Sequence, residues 1–102
     1  MTVPPKSNPT PIWHLYLIEC VDGSYYTGVT TDVERRYSQH VIGKGARYTR
    51  SHKPMRLLAS RAVGSRSEAL KAELAVKRLP KEEKLSAVTM ADDIGVNHEV
   101  QS

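Results

Sequence analysis

From Trp13 to Cys20 β-favouring side chains run almost without a break, and Ser24 to Thr30 repeats the pattern after the turn-forming Val21-Asp22-Gly23. The two runs predict a β-hairpin, and the build of its turn decides which residues share a face. A two-residue Asp22-Gly23 loop would oppose Val21 to Ser24 and send Tyr16 and Tyr26 to opposite sides of the sheet. A three-residue loop, closed by Gly23 in the left-handed region, opposes Cys20 to Ser24 instead. Tyr16 then lies across from Gly28 and Tyr26 across from Ile18, while Trp13, Leu15, Leu17 and Val29 gather on the other face as a core. The second arrangement keeps the apolar set together and is the one expected.

Farther along, the period changes. Thr31 with Glu34 three positions later, and Asp32 as a second capping oxygen, predict a helix that stops near Gly43 and carries the apolar stripe Val33, Tyr37, Val41. Ala46 to Ser51 suits one helical turn. Pro54 opens a third β-like run, Met55 to Val63, bounded by Gly64. Ser65 with Glu68 is a second capping box, and the helix it starts runs to Leu79, where Pro80 interrupts it. Pro80 in turn suits the first turn of a helix over Lys81 to about Val88. The order β-β-α-β-α-α indicates an α+β domain, a small, mainly antiparallel three-stranded sheet flanked by helices. The prolines Pro4, Pro5, Pro9 and Pro11 mark residues 1–11 as a flexible tail, residues 12–88 as the folded domain and 89–102 as a frayed end.

A chain of 102 residues has material for one modest core. Fifteen Lys and Arg against eleven Asp and Glu give a formal charge of +4 and a pI near 9.4, which favours polyanionic partners without requiring them. Cys20 is the sole cysteine, so no internal disulfide is available. No apolar run reaches the length of a membrane span and the N-terminus lacks a signal-peptide pattern, so a cytoplasmic protein is expected.

Several polar residues fall where apolar ones would be expected. At about 100° per residue, Ala69, Leu70, Ala72, Leu74, Val76 and Leu79 occupy one broad arc of the Ser65 to Leu79 helix. Glu73 lies inside that arc, with Glu68, Lys71 and Arg78 on the wet side. An inward carboxylate costs several kcal/mol unless compensated. Two compensations are open: an i,i+4 pair with Lys77, or a cation or catalytic partner. On the first helix Arg36 and His40 stand one turn apart beside the apolar stripe, an arrangement suited to a phosphate, although a solvated arginine and a structural histidine are commoner. Tyr16 and Tyr26 add two phenols that can serve as acid, base or donor, or simply pack.

His14-Leu15-Tyr16, followed by Tyr26-Thr27-Gly28 with the two tyrosines ten positions apart, resembles the paired tripeptides that name the GIY-YIG nucleases. Arg36 in the following helix and Glu73 within Ser67-Glu68-Ala69-Leu70-Lys71-Ala72-Glu73 match further features in order. The likeness covers roughly Ile12 to Leu85. It extends to Asp22-Gly23-Ser24, Asp32-Val33-Glu34-Arg35-Arg36 and Lys44-Gly45-Ala46-Arg47-Tyr48, typical of the compact single-domain bacterial branch. The resemblance implies a one-metal phosphodiester hydrolysis in which Glu73 holds Mg²⁺ or Mn²⁺, Arg36 clamps the phosphate, and Tyr26 with Tyr16 orients or deprotonates water. His40 stands where relatives place a proton-handling Tyr or His.

The departures are His14-Leu15 for Gly-Ile, Thr27 for Ile, and Val29 where some repair nucleases of the superfamily carry a lysine. No attached DNA-binding module is apparent, so Lys44, Arg47, Tyr48, Arg50, His52 and Lys53 are the expected nucleic-acid contacts, with a solvated loop as the alternative. The expected activity is cleavage of DNA, with RNA as the other polyanion, at flaps, ends or unpaired regions. The competing reading is a nucleic-acid-binding module of the same fold with little turnover, working with a protein partner.

Overall fold

The computed structural model describes residues 10–89. The tails expected at 1–11 and 89–102 therefore lie outside the described residues, apart from 10, 11 and 89. The elements are β1 (Trp13–Cys20), β2 (Tyr25–Thr30), α1 (Val33–Val41), α2 (Arg47–Ser51), β3 (Pro54–Gly64) and α3 (Arg66–Lys77). A further helix, α4, occupies 81–89, so Thr89 belongs to it rather than to a frayed end. Among the described residues no helix is long and apolar enough to cross a membrane.

The hairpin closes through the three-residue turn. Cys20 N–H donates to Ser24 O at 2.8 Å, Gly23 N–H donates to Cys20 O at 2.9 Å, and Gly23 holds φ at +88°. That left-handed value closes the loop at little cost only without a Cβ. The register follows, with Tyr16 opposite Gly28 and Ile18 opposite Tyr26. β3 pairs with the other side of β1, giving an antiparallel sheet in the order β2-β1-β3.

Central placement buries β1 on both faces. On one, Leu15 and Leu17 pack with Val76 of α3 and Val88 of α4, joined by Tyr25, Val29 and Leu58. On the other, Tyr16, Ile18 and Cys20 pack with Tyr26, Val33, Tyr37 and Leu57. The near-continuous apolar run of β1, with Leu15 to Ile18 at most 1% exposed, is thus explained by helical layers on both sides. The partner of Leu17 is Ala59 and that of Ile18 is Leu57, so Leu58 is an extra residue on β3. This bulge lets two consecutive residues, Leu58 and Ala59, face the same core, with Leu57 on the other.

Helix starts depend on which oxygen reaches the third amide. Asp32, not Thr31, caps α1, its Oδ1 accepting from Arg35 N–H at 3.1 Å. Thr30 Oγ1 in turn accepts from Asp32 N–H at 3.1 Å. The capping box of α3 is complete: Ser65 N–H donates to Glu68 Oε1 at 2.9 Å and Glu68 N–H to Ser65 Oγ at 3.1 Å. Lys84 Nζ donates to the Val76 and Lys77 carbonyls, satisfying the last turn of α3.

Two expected stripes are narrower than the wheel suggested. Val41 is 54% exposed, and the inward position at the end of α1 belongs to His40. On α3, Leu70 and Leu74 are 37% and 51% exposed, while Ala69 and Val76 are buried. Ala69 and Ala72 let the helix axis approach the sheet closely, which narrows the covered strip and leaves flanking leucines outside it.

Because Ser65 caps and Thr31 does not, Ser65→Ala is expected to cost about 1 kcal/mol. Thr31→Ala should stay within about 0.5 kcal/mol of the parent. Urea unfolding of both variants checks the assignment.

Candidate active site

Residue 28 of β2 has no side chain, and the Tyr16 ring lies in the space this leaves. A Cβ built at Gly28 would collide with the Tyr16 hydroxyl and ring carbons. So placed, the Tyr16 hydroxyl meets His40 Nε2 of α1 at 2.8 Å, and His40 Nδ1 meets Thr49 Oγ1 of α2 at 2.6 Å. Thr49 in turn donates to the Ala46 carbonyl at 3.0 Å. Tyr16, His40 and Thr49 are all at most 2% exposed. At the far end Gly45 is as constrained as Gly28, since a Cβ there would overlap His40 Nδ1 and lie 2.8 Å from His40 Cα. Among the described residues the buried polar side-chain atom left without a partner is His14 Nδ1, outside this chain of bonds.

Tyr26 stands beside this chain on the same face and is half-buried, with its ring centroid 6.3 Å from Tyr16 and 5.1 Å from His40. An aromatic stack leads outward from it. Tyr48 lies 5.8 Å from Tyr26 with the rings 25° apart, and His52 lies 4.1 Å from Tyr48 with 13° between planes. His52 Nδ1 then meets Asp22 Oδ2 of the hairpin turn at 2.6 Å. The hydrogen bonds from Ser24, followed by the one to His52, hold the Asp22 carboxyl well below the usual carboxylate range. Lys44, Arg47, Arg50 and Lys53 are exposed. Arg50 and Lys53 line a cleft of about 380 Å³ whose floor includes His40 and Thr49.

Burial pushes the Tyr16 phenol well above its ordinary pKa, and the neighbouring Tyr26 adds to this. Arg36 works the other way, through a hydrogen-bonding contribution and its charge, whereas the Glu73 carboxylate again opposes ionisation. His40 is pushed down to about 4, first by burial and then by the Arg36 charge. At neutral pH both members of the buried pair are uncharged. Arg36 itself is half-buried and is held by a 2.9 Å bond from Nη1 to Gln39 Oε1.

Glu73 comes from α3, which covers the Leu15 and Leu17 face, so it approaches Tyr16 from the other helical layer. Its side chain is 17% exposed, and Oε2 sits 3.2 Å from Lys77 Nζ, whose side chain is half exposed. Of the two compensations considered for this carboxylate, the i,i+4 lysine is present, and the carboxylate also lies within electrostatic range of Tyr16.

A profile of the GIY-YIG catalytic domain matches residues 12–86. The chain belongs to the GIY-YIG family. A UPF0213 protein from Cupriavidus pinatubonensis is 61% identical over 74 residues, which span 72% of this chain and 82% of that protein. A UPF0213 protein from Halalkalibacterium halodurans is 48% identical over 77 residues, covering 76% and 82%. The solution structure of a protein from E. faecalis is 34% identical over 85% of this chain and 90% of that chain, with a TM-score of 0.54. Membership in this GIY-YIG family makes the domain one of a nuclease family with nucleic acid as the substrate class. The relatives' names carry no specific activity.

Within this GIY-YIG domain, the structure brings Tyr16, Tyr26 and His40 into mutual contact and sets Arg36 and Glu73 within electrostatic reach of Tyr16. Of the basic cluster, Tyr48 and His52 stack in the aromatic column, while Lys44, Arg47, Arg50 and Lys53 are exposed. Sequence reasoning missed Thr49 and Gly45. Their role rests on contacts with His40 across a loop that no periodicity encodes, and the only local signal was the Lys44-Gly45-Ala46-Arg47-Tyr48 likeness.

Gly28→Ala and Gly45→Ala should each destabilise the domain by about 1 to 3 kcal/mol through overpacking. In the first variant the Tyr16 ring is displaced, in the second His40, as seen in aromatic NMR shifts. The histidine also makes stability pH-dependent. Its folded pKa lies below the unfolded value near 6.5, so the unfolded chain takes up the proton first and stability falls as pH drops from about 6.5 to 4. The expected loss is about 3 kcal/mol, and denaturation of His40→Gln across that range should show a flatter profile.

Proposed function

We propose that this domain is a divalent-metal-dependent endonuclease that hydrolyses phosphodiester bonds in DNA, with Tyr26, Arg36 and Glu73 facing the substrate and Tyr16 and His40 behind them. The observation that carries this reading is that Tyr16, Tyr26 and His40 meet on one face of the sheet, with Arg36 one turn before His40 on α1 and the Glu73 carboxylate of α3 within electrostatic range of Tyr16. A guanidinium beside this group offers an anion clamp, and a carboxylate within electrostatic range of it offers a cation ligand.

The donor set suits a particular kind of ion. Among the described residues no three His, Cys, Asp or Glu side chains cluster, which does not fit an all-protein cage. A single carboxylate does fit Mg²⁺ or Mn²⁺, which keeps most of its water and is shared with a phosphate. When bound at Glu73 the ion supplies Lewis-acid polarisation of the phosphoryl oxygens and charge neutralisation at the leaving oxygen. Arg36 clamps a non-bridging oxygen and stabilises the negative charge that develops there. Tyr26, half-buried, orients the attacking water together with Tyr16. Tyr16 and His40 hold the floor of the site in a fixed, uncharged hydrogen-bonded state. Arg47, Arg50, Lys44 and Lys53 then engage flanking phosphates on either side of the Tyr48 and His52 stack.

One observation favours the alternative of a binding module with little turnover: Lys77 already neutralises Glu73. The lysine is half exposed and an i,i+4 pair is worth only about 0.3 to 0.5 kcal/mol, so the pair yields readily to a divalent ion. The readings separate in cleavage assays on labelled single-stranded, duplex and branched DNA, with RNA as comparison, in Mg²⁺ or Mn²⁺. Arg36→Ala and Glu73→Ala should each lower the rate by about 10² to 10³-fold or more, chelation should stop it, and Lys77→Ala should retain it. Cleavage that survives in both site variants removes the catalytic assignment. Salt-sensitive binding without any cleavage supports the module instead.

A further inference from the structure

The chain of buried hydrogen bonds makes the most contacts in one direction. The Ala46 carbonyl accepts from Arg50 N–H at 3.2 Å, and only if it also takes the Thr49 hydroxyl hydrogen, at 3.0 Å, are both side-chain contacts of Thr49 hydrogen bonds. The 2.6 Å contact between Thr49 Oγ1 and His40 Nδ1 must then use a hydrogen on the imidazole. A neutral imidazole carries one N–H, which places the lone pair on Nε2. The Tyr16 hydroxyl, 2.8 Å from Nε2, has to be the donor. One contact pulls the other way: Ala46 N–H lies 3.5 Å from His40 Nδ1 and would favour a lone pair there. At the outer limit of hydrogen-bond length it weighs less than the 3.0 Å bond from Thr49 to the Ala46 carbonyl, which the opposite tautomer would give up. His40 is neutral for the physical reason given above, its burial beside Arg36.

We propose that Thr49 is a positioning residue which fixes the Nδ1–H tautomer of His40 and so turns the Tyr16 O–H inward, leaving the phenol oxygen only lone pairs to offer the site. The inference rests on the nuclease reading for its consequence, not for its geometry. With its hydrogen spent on His40, the Tyr16 oxygen accepts from what approaches it, whether an N–H of Arg36 or an O–H of the attacking water. Water that donates to Tyr16 has a lone pair left to turn toward phosphorus. In the opposite tautomer His40 Nε2–H would donate to Tyr16, and the phenol hydrogen would point outward against the Arg36 donors and reverse the water. Thr49 exerts this control without touching substrate. Threonine at 2% exposure, rather than a surface hydroxyl, suits the task because no water competes for Nδ1.

The test reads the tautomer directly, by long-range ¹H–¹⁵N correlation of the histidine rings in the uniformly labelled full chain, with His40→Gln identifying the signals. The parent and Thr49→Ser should show the hydrogen on Nδ1, and Thr49→Val, which keeps the volume but cannot accept, should shift His40 toward Nε2–H. In cleavage assays Thr49→Val should lower kcat about tenfold or more with KM within about twofold, and Thr49→Ser should restore most of the rate. A parent protein with the hydrogen on Nε2 overturns the proposal. So does a Thr49→Val protein with an unchanged tautomer, or a serine variant as impaired as the valine one. Should Thr49→Val not fold, the parent and Thr49→Ser tautomers still decide the matter. If the parent cleaves nothing, the nuclease reading fails, while the ring spectra judge the role of Thr49 independently.

Discussion

Tyr16 lying across Gly28 is the contact on which the rest of the site depends. Cross-strand partners on a sheet are held within about 5.5 Å at Cα, so a large ring can lean over its neighbour only if the neighbour has no side chain. Gly28 supplies that absence, and the three-residue turn supplies the pairing. Slippage by one residue would move Tyr26 to the other face and set Tyr16 against a residue with a Cβ. The register is in turn held by burial. β1 is apolar on both faces, and either alternative pairing would separate Leu15, Leu17 and Val29 from the α3 and α4 core.

Burying a phenol and an imidazole at the floor of a polar site has a desolvation cost that the fold meets by pairing them. Each finds its hydrogen-bond partner within the domain, and both remain uncharged at neutral pH. The charge is left to Arg36 and Glu73, which are only partly buried and stay in contact with water. This division sets an uncharged buried pair apart from two partly solvated charged groups, the ones proposed to engage a phosphate and a cation. It also explains why two glycines bracket the arrangement. Backbone must pass close to both rings, and Gly28 and Gly45 are where it does.

The ion pair between Lys77 and Glu73 is better viewed as a solvated placeholder than as a lock. The lysine is half exposed, and the carboxylate it covers still acts on the Tyr16 phenol. A carboxylate inside the apolar arc of α3 signalled that something had to compensate it. An inexpensive local partner is compatible with the cation-binding role proposed for Glu73, because a pair screened by water is easily exchanged.

Local chemistry alone determined the hairpin and its turn, the capping box of Ser65 and Glu68, and the break at Pro80, since each depends on residues a few positions apart. The family tripeptides with Arg36 and Glu73 were legible for the same reason, being ordered along the chain. Which oxygen caps α1, which flank of α3 meets the sheet and which residue of α1 turns inward were decided by packing. Helical periodicity gives a broad arc, while contact with a twisted sheet uses only part of it, so Val41, Leu70 and Leu74 lie outside. The His40 and Thr49 pairing is wholly tertiary. It joins a helix to the turn after a loop, and its value comes from excluding water at Nδ1, a property that no sequence pattern expresses before the chain has folded around it.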